Sequence, residues 1–210
     1  MKEGKFISIE GQDGAGKTTN IEFICSELAD KNIKHITTRE PGGTALGESV
    51  REILLARSEL DISPMSELLL MFAARAQHLA SVIEPALSQG VWVVCDRFTD
   101  ASFAYQGGGH GINSSIIQDI ATMVQQGRQP DLTFLLDVDT ATGESRVNNR
   151  NEAKDRYEKQ KIDFKQRVRD VYLQLAKNEP KRIKLINASE SIESVQQQIN
   201  SELTVFINCK

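Results

Sequence analysis

Long apolar runs are missing from this sequence. The longest, Leu68 to Ala74, falls far short of the roughly 20 residues a membrane-crossing helix needs. Cysteine is scarce: Cys25, Cys95 and Cys209 are odd in number and widely spaced. That excludes a disulfide framework and a clustered zinc site, and it favours a reducing compartment. No signal-peptide core follows Met1-Lys2-Glu3-Gly4-Lys5, so the expected location is the cytoplasm. Basic charge is not in excess either. Lys and Arg number 25 against 29 Asp and Glu, a net charge of −4, which argues against nucleic acid and membrane surfaces as partners. No repeat, low-complexity tract or proline-rich linker divides the 210 residues, so one domain is expected. At 40% apolar and 26% charged, the composition supports a substantial globular core.

What is present alternates. Short β-type runs occur at Phe6–Ile9, His35–Thr38, Val91–Val94, Leu132–Leu136 and Ile183–Ile186, several of them almost continuously apolar. Helical periodicities lie between them. Ile116, Ile120, Met123 and Val124 follow the cap signal Asn113-Ser114; Phe164, Val168, Val171, Tyr172 and Leu175 form one stripe, and Ile192, Val195, Ile199, Leu203 and Phe206 another. Strands alternating with helices imply a parallel sheet with right-handed crossovers, whose ligands sit beyond the carboxyl ends of the strands. Pro85 interrupts a helical run from Ser66 to Gln89 and predicts a kink or break. Asn148 to Lys154 reads as a mobile loop between two helices.

Directly after the first β-run stands Gly11-Gln12-Asp13-Gly14-Ala15-Gly16-Lys17-Thr18, the pattern G-x-x-x-x-G-K-[ST]. Its glycines let successive backbone N–H groups turn toward phosphate oxygens at the start of a helix that carries Asn20, Ile21, Ile24, Cys25 and Leu28. Lys17 can reach the β- and γ-phosphates, and the Thr18 hydroxyl can ligate Mg²⁺. The nucleotide-binding set is therefore residues 11–19, closing on Thr19. Asp96, ending Val93-Val94-Cys95-Asp96, is placed to hold Mg²⁺ or its waters.

A guanine-reading Asn-Lys-x-Asp is absent, which disfavours a regulatory GTPase. Arg39-Glu40-Pro41-Gly42-Gly43, Asp96-Arg97-Phe98 and Ala104-Tyr105-Gln106-Gly107-Gly108-Gly109 instead suggest a second pocket. Arg51, Arg75 and Arg97 returning toward strand ends in an acidic protein suggest a second anion there. Arg57, Arg128 and Arg182 read as salt-bridge residues, and His35, His78 and His110 as structural or exposed. A P-loop ATPase switch, or a kinase for another nucleoside monophosphate or a nucleoside, is the alternative. A nucleoside acceptor would leave Arg97 and Arg51 without a phosphate.

In this ordered combination of motifs, the sequence closely resembles bacterial thymidylate kinases over nearly its whole length. The resemblance implies a P-loop nucleoside monophosphate kinase fold, an α/β five-stranded parallel sheet flanked by helices. It also implies a homodimer, and the reaction ATP + dTMP → ADP + dTDP on the way to dTTP, with ATP and Mg²⁺. It makes Arg97 the main ligand of the acceptor phosphate, assisted by Arg51, and puts Asp13 at the sugar 3′-hydroxyl. Arg75, Ser102 and Gln106 would meet the polar edge of thymine, Pro41 its methyl, and Tyr105 the deoxyribose. The base-stacking aromatic common in the family is replaced here by Met71, so Phe72 is the expected stacking residue and Met71 an apolar lining one. Some thymidylate kinases place an arginine inside the phosphate loop. This loop has Gly14, which resembles the arrangement that brings cations from a lid, here about residues 144–157. In that lid Arg146 would face the adenine, Arg150 would be the leading candidate at the transferred phosphate, and Arg156 would act there or anchor the lid. The expected catalytic set is Lys17, Asp13, Arg97, Arg150 and Arg156.

Overall fold

The computed structural model describes residues 3–56, 60–149 and 155–208. Five strands, β1 (Phe6–Glu10), β2 (His35–Arg39), β3 (Trp92–Asp96), β4 (Leu132–Asp137) and β5 (Ile183–Asn187), pair in the order β2-β3-β1-β4-β5. Every pairing is parallel, with Ile9 opposite Asp96 on one side and Phe134 on the other. All five β-runs are therefore strands, ending one or two residues later than the apolar pattern alone indicates. β1 is central and wholly buried. Its carboxyl end and that of β3 lie side by side, where the chain carries the phosphate loop and Asp96-Arg97.

Ile7 and Ile9 on one face of β1 pack with Ile24 and Leu28 of α1 (Lys17–Asp30) and Ile199 and Leu203 of α9 (Ile192–Asn208). The opposite face carries Phe6, Ser8 and Glu10. Phe6 packs with Val93, Ile83 and Leu87, and Ser8 hydrogen-bonds Thr133 at 2.7 Å. Glu10 lies under α8 (Ile162–Asn178), which buries Phe164, Val168 and Tyr172 as its stripe predicts.

Between β2 and β3 run α2 (Ala45–Arg51), α3 (Pro64–His78) and α4 (Glu84–Ser88). The interruption at Pro85 is a widened π turn, Leu79–Ile83, joining α3 to α4. Pro85 cannot donate to the turn before it and its ring crowds that turn's carbonyl; the wider turn accommodates both. After β3 come α5 (Thr99–Ser102), a π turn at Phe103–Gly109 and α6 (Ser114–Gln125), capped by Asn113. The α6 stripe differs from its sequence pattern: Ile117 and Ala121 are buried, whereas Ile116 and Met123 face outward. α7 (Thr140–Asn148) follows β4. No helix among the described residues is long and apolar enough to cross a membrane.

Candidate active site

The loop between β1 and α1 bends through left-handed backbone at Gly14 (φ 83°) and Gly16 (φ 87°), conformations that glycine adopts without a side-chain clash. Lys17 is nearly buried and donates to the carbonyls of Gly11 and Gln12 at 3.1 and 3.0 Å. Burial, and then the charge of Arg97, lower its pKa to about 8. Gln12 Nε2 donates to the Lys165 carbonyl at 2.6 Å, tying the loop to α8. Arg146, on α7, donates to the carbonyls of Ala188 (2.9 Å) and Gly14 (3.4 Å), so it lies beside the loop.

Thr18 and Asp96 line one open cleft of about 680 Å³. Asp96 Oδ1 is buried there without a hydrogen-bond partner among the described residues, and Arg97 Nη1 stands 3.5 Å away. A hydroxyl and an under-satisfied carboxylate are hard oxygen donors of the kind Mg²⁺ takes beside phosphates and water.

Arg97 connects the loop after β1 to the cavity that its own side chain lines. Its backbone is left-handed (φ 64°), held by its own N–H to Ile9 O at 2.9 Å and by the Phe98 N–H to Glu10 Oε1 at 2.7 Å. Its Nη2 donates to Asp13 Oδ1 at 2.6 Å and to the Tyr105 hydroxyl oxygen at 3.2 Å. Asp13, Pro41, Arg51, Arg97, Tyr105 and Gln106 line a common open cavity of about 510 Å³. Arg51 donates to Pro41 O at 3.1 Å; burial, then Arg39 and Arg97, depress its pKa. The guanidiniums of Arg51 and Arg97 share this cavity with the carboxylates of Asp13, Glu40 and Asp155.

Three sequence expectations need correction. Phe72 does not face the cavity. It packs with Leu68, Ile117 and Ala121, and its ring centroid lies 4.5 Å from the Arg75 guanidinium carbon. Met71, about 100° round the helix, lines the cavity instead. Arg75 and Ser102 do not line it either: Arg75 is fully buried, donating to Glu40 (2.7 Å), Ser102 (3.1 Å) and the Phe98 carbonyl (3.2 Å). Arg156 stands away from the phosphate loop, 2.7 Å from Glu67 Oε2 and donating to Ile62 O at 3.3 Å. Arg150 and Lys154 lie outside the described residues, as does Arg57. Arg128 and Arg182 are ion-paired as anticipated, though Arg182 is largely buried against Asp100.

The sequence reading missed three carboxylates. Glu40 joins Arg75 to His78 Nδ1 (2.9 Å), whose Nε2 is 2.7 Å from Thr38 Oγ1. Glu67 pairs with Arg156. Glu10 accepts from Phe98 and from the Tyr172 hydroxyl at 2.7 Å, and burial, then Asp100, raise its pKa to about 8. One signal was available for Glu10: a charged residue ending an otherwise buried strand immediately before the phosphate loop.

A family model described as thymidylate kinase matches residues 9–199. The thymidylate kinase of Chromohalobacter salexigens is 49% identical over 205 residues, covering 97% of each chain. That of Ruthia magnifica is 51% identical over 206 residues, covering 98% of this chain and all of the relative. The crystal structure of thymidylate kinase from Ehrlichia chaffeensis superposes with a TM-score of 0.77 at 35% identity, covering 96% of this chain and 99% of that one. With its parallel sheet and its G-x-x-x-x-G-K-[ST] loop, the chain belongs to the thymidylate kinase family and transfers phosphate from ATP to dTMP, forming dTDP on the way to dTTP.

Proposed function

We propose that transfer runs between a donor phosphate held by residues 11–19 and an acceptor phosphate held by Arg97 and Arg51. The observation that carries this reading is the 2.6 Å bond from Arg97 to Asp13, which sets the acceptor cation against the donor loop. The second pKa of a phosphate monoester is near ~6, so dTMP is already a nucleophilic dianion at neutral pH and needs no general base. The remaining work is alignment and neutralisation of two polyanions.

Lys17 supplies charge at the β- and γ-phosphates after exchanging its loop carbonyls for them. Thr18 and Asp96 are the residues that would hold Mg²⁺, whose contribution is charge neutralisation on the phosphate oxygens. In the acceptor pocket, Asp13 takes the sugar 3′-hydroxyl and Tyr105 packs under the deoxyribose, where a 2′-hydroxyl would clash. Pro41 and Met71 border the base, and Gln106 meets its polar edge. Arg75, with three of its five N–H donors engaged among the described residues, backs that edge together with Ser102. Residues 144–157 act as a lid on a single domain and exclude water. Arg146 lies toward the adenine and Arg150 supplies charge to the transferred group. Arg156 anchors the lid root.

The enzyme acts as a homodimer in the cytoplasm. Met65 and Leu69 on α3, with Ile116 and Met123 on α6, form the self-association face; these apolar side chains are 39–70% exposed on helices packed together. Sedimentation of the wild type and a Leu69→Glu/Met123→Glu variant tests this.

The test of the reading is a coupled ADP assay over acceptors. ADP release is near zero with ATP alone and rises sharply with dTMP. dUMP, lacking a methyl worth about 1–3 kcal/mol in an apolar pocket, works less well. Equal specificity constants for AMP, CMP or GMP overturn it.

A further inference from the structure

Glu67 sits on the inward face of α3 and is fully buried. A carboxylate survives there only when paired and hydrogen-bonded. Its partners come from separate parts of the chain: Gln106 Nε2 donates to Oε1 at 2.8 Å, His110 Nε2 lies 3.2 Å from the same oxygen, and Arg156 Nη1 lies 2.7 Å from Oε2. Burial pushes its pKa up, but hydrogen bonds with His110, Gln106 and Tyr157 outweigh burial, and the carboxyl is held below its ordinary value. An ionised carboxylate only accepts.

This fixes the Gln106 amide. A primary amide has a donating end and an accepting end, and its neighbours decide which way round it lies. Both Nε2 protons of Gln106 are spent, one on Glu67 and one on the Tyr157 hydroxyl at 3.3 Å. Its Oε1 is buried and has no partner among the described residues, while the side chain lines the acceptor cavity. A buried amide oxygen without a hydrogen-bond partner, on a side chain that lines the cavity, is a vacancy for a donor.

We propose that Glu67 is a positioning residue that locks the Gln106 amide with its oxygen toward the bound base, so that the pocket takes bases presenting an N–H at that edge and refuses those presenting a lone pair. The inference rests on the reading that Gln106 meets the polar edge of the base. Thymine and uracil offer N3–H, whereas cytosine has a bare N3. Against cytosine, two acceptors would face each other, and the amide cannot turn over without aiming its carbonyl at the Glu67 carboxylate. The apolar surround separates thymine from uracil only modestly. The locked amide separates both from cytosine, because a site built to hydrogen-bond one partner rejects its mismatch strongly.

The test is Glu67→Gln, checked for a cooperative thermal melt and assayed with dTMP and dCMP. A neutral amide at 67 accepts or donates, so Gln106 is free to turn over. KM for dTMP rises, kcat stays within about threefold, and the dTMP-over-dCMP ratio of kcat/KM falls by about tenfold or more. A purely structural role would affect both acceptors alike, so a folded variant with the wild-type ratio overturns the proposal. Gln106→Ala separates the two levels. If it alters dTMP binding and base preference while Glu67→Gln alters neither, the base contact stands and the lock is wrong. If Gln106→Ala behaves as wild type, the base contact is wrong and the lock falls with it.

Should Glu67→Gln fail to fold, the wild type decides. The Gln106 side-chain amide protons, identified by their loss in Gln106→Ala, keep their NMR shifts and exchange protection when dTMP saturates the site. A large shift on binding, showing that Nε2 faces the base, overturns the proposal.

Discussion

The proposed donor side is residues 11–19, one uninterrupted segment whose Lys17 donates to the segment's own carbonyls, although Gln12, Asp13 and Gly14 are also contacted from α8, Arg97 and α7. The acceptor side draws on the ends of β2 and β3, on α2 and α3, on the turn after α5 and on the segment after α7. Lys17 reaches its partners five and six residues away, whereas Arg97 meets Asp13 across 84 residues and Gln106 meets Glu67 across 39. The lysine side chain of such a local device can be altered with little effect on the fold. A convergent one shares side chains with the core, so substitutions there mix binding with stability.

The comparison breaks first, and with the largest effect, at Lys17. Lys17→Met is expected to lower turnover about 10²–10³-fold with a near-normal melting temperature. Because the lysine's pKa is lowered to about 8, kcat/KM for ATP in the wild type declines above pH 8 as the charge is lost. Turnover within tenfold of wild type for the variant would place the donor charge elsewhere. On the acceptor side, Arg97→Ala should cut kcat/KM for dTMP about 10²-fold through lost charge-assisted bonds, with KM for ATP little changed. An equal loss for both substrates would mean that Arg97 serves the loop through Asp13 rather than the acceptor.

Arg156→Ala sharpens the contrast in the other direction. Removing the partner of a buried carboxylate should lower stability by about 1–3 kcal/mol while turnover stays within about threefold. A collapse of turnover at normal stability would return Arg156 to the phosphates.

Glu10 gives a pH signature. Its folded pKa, about 8, lies above its ordinary 4.5, so its contribution to stability is complete below pH 4.5 and is lost as pH rises through 8. Denaturation of wild type and Glu10→Gln across pH 5–8 should show the wild type losing ground at up to about 1.4 kcal/mol per pH unit. Parallel curves would refute the shift.

The smallest effects separate neighbours. Met71→Ala is expected to raise KM for dTMP a few-fold. Phe72→Leu leaves KM within twofold and lowers stability by under about 1.5 kcal/mol. The reverse pattern would restore Phe72 to the base.

The same contrast explains what was legible in the sequence. The strands announce themselves by apolar runs, and the phosphate loop by glycines whose spacing sets its backbone. Arg97 stands out because it follows a strand end where ligands gather, and Tyr105 because it lies in a motif that carries the family resemblance. Met71 and Phe72 could not be told apart, since one residue turns a side chain about 100° and both are apolar. The Arg156–Glu67 pair and the Glu40–Arg75–His78 chain depend on contacts between distant segments, which no local pattern encodes. The outward direction of Ile116 and Met123 was equally hidden, because a stripe shows periodicity and not which neighbour covers it.

The meeting of Gly14 with α7 restricts how this loop can change over generations. A Cβ on Gly14 would run into the carbonyl of Gly143, and Gly14 lies at φ 83°, so an arginine there is opposed by both space and backbone. Gly143 is itself close, as its own Cβ would come within 3.1 Å of the Asp13 carbonyl. The arrangement with an arginine inside the loop is therefore not one codon away. It requires α7 to be re-seated at the same time, and a chimera that exchanges the loop alone inherits the collision.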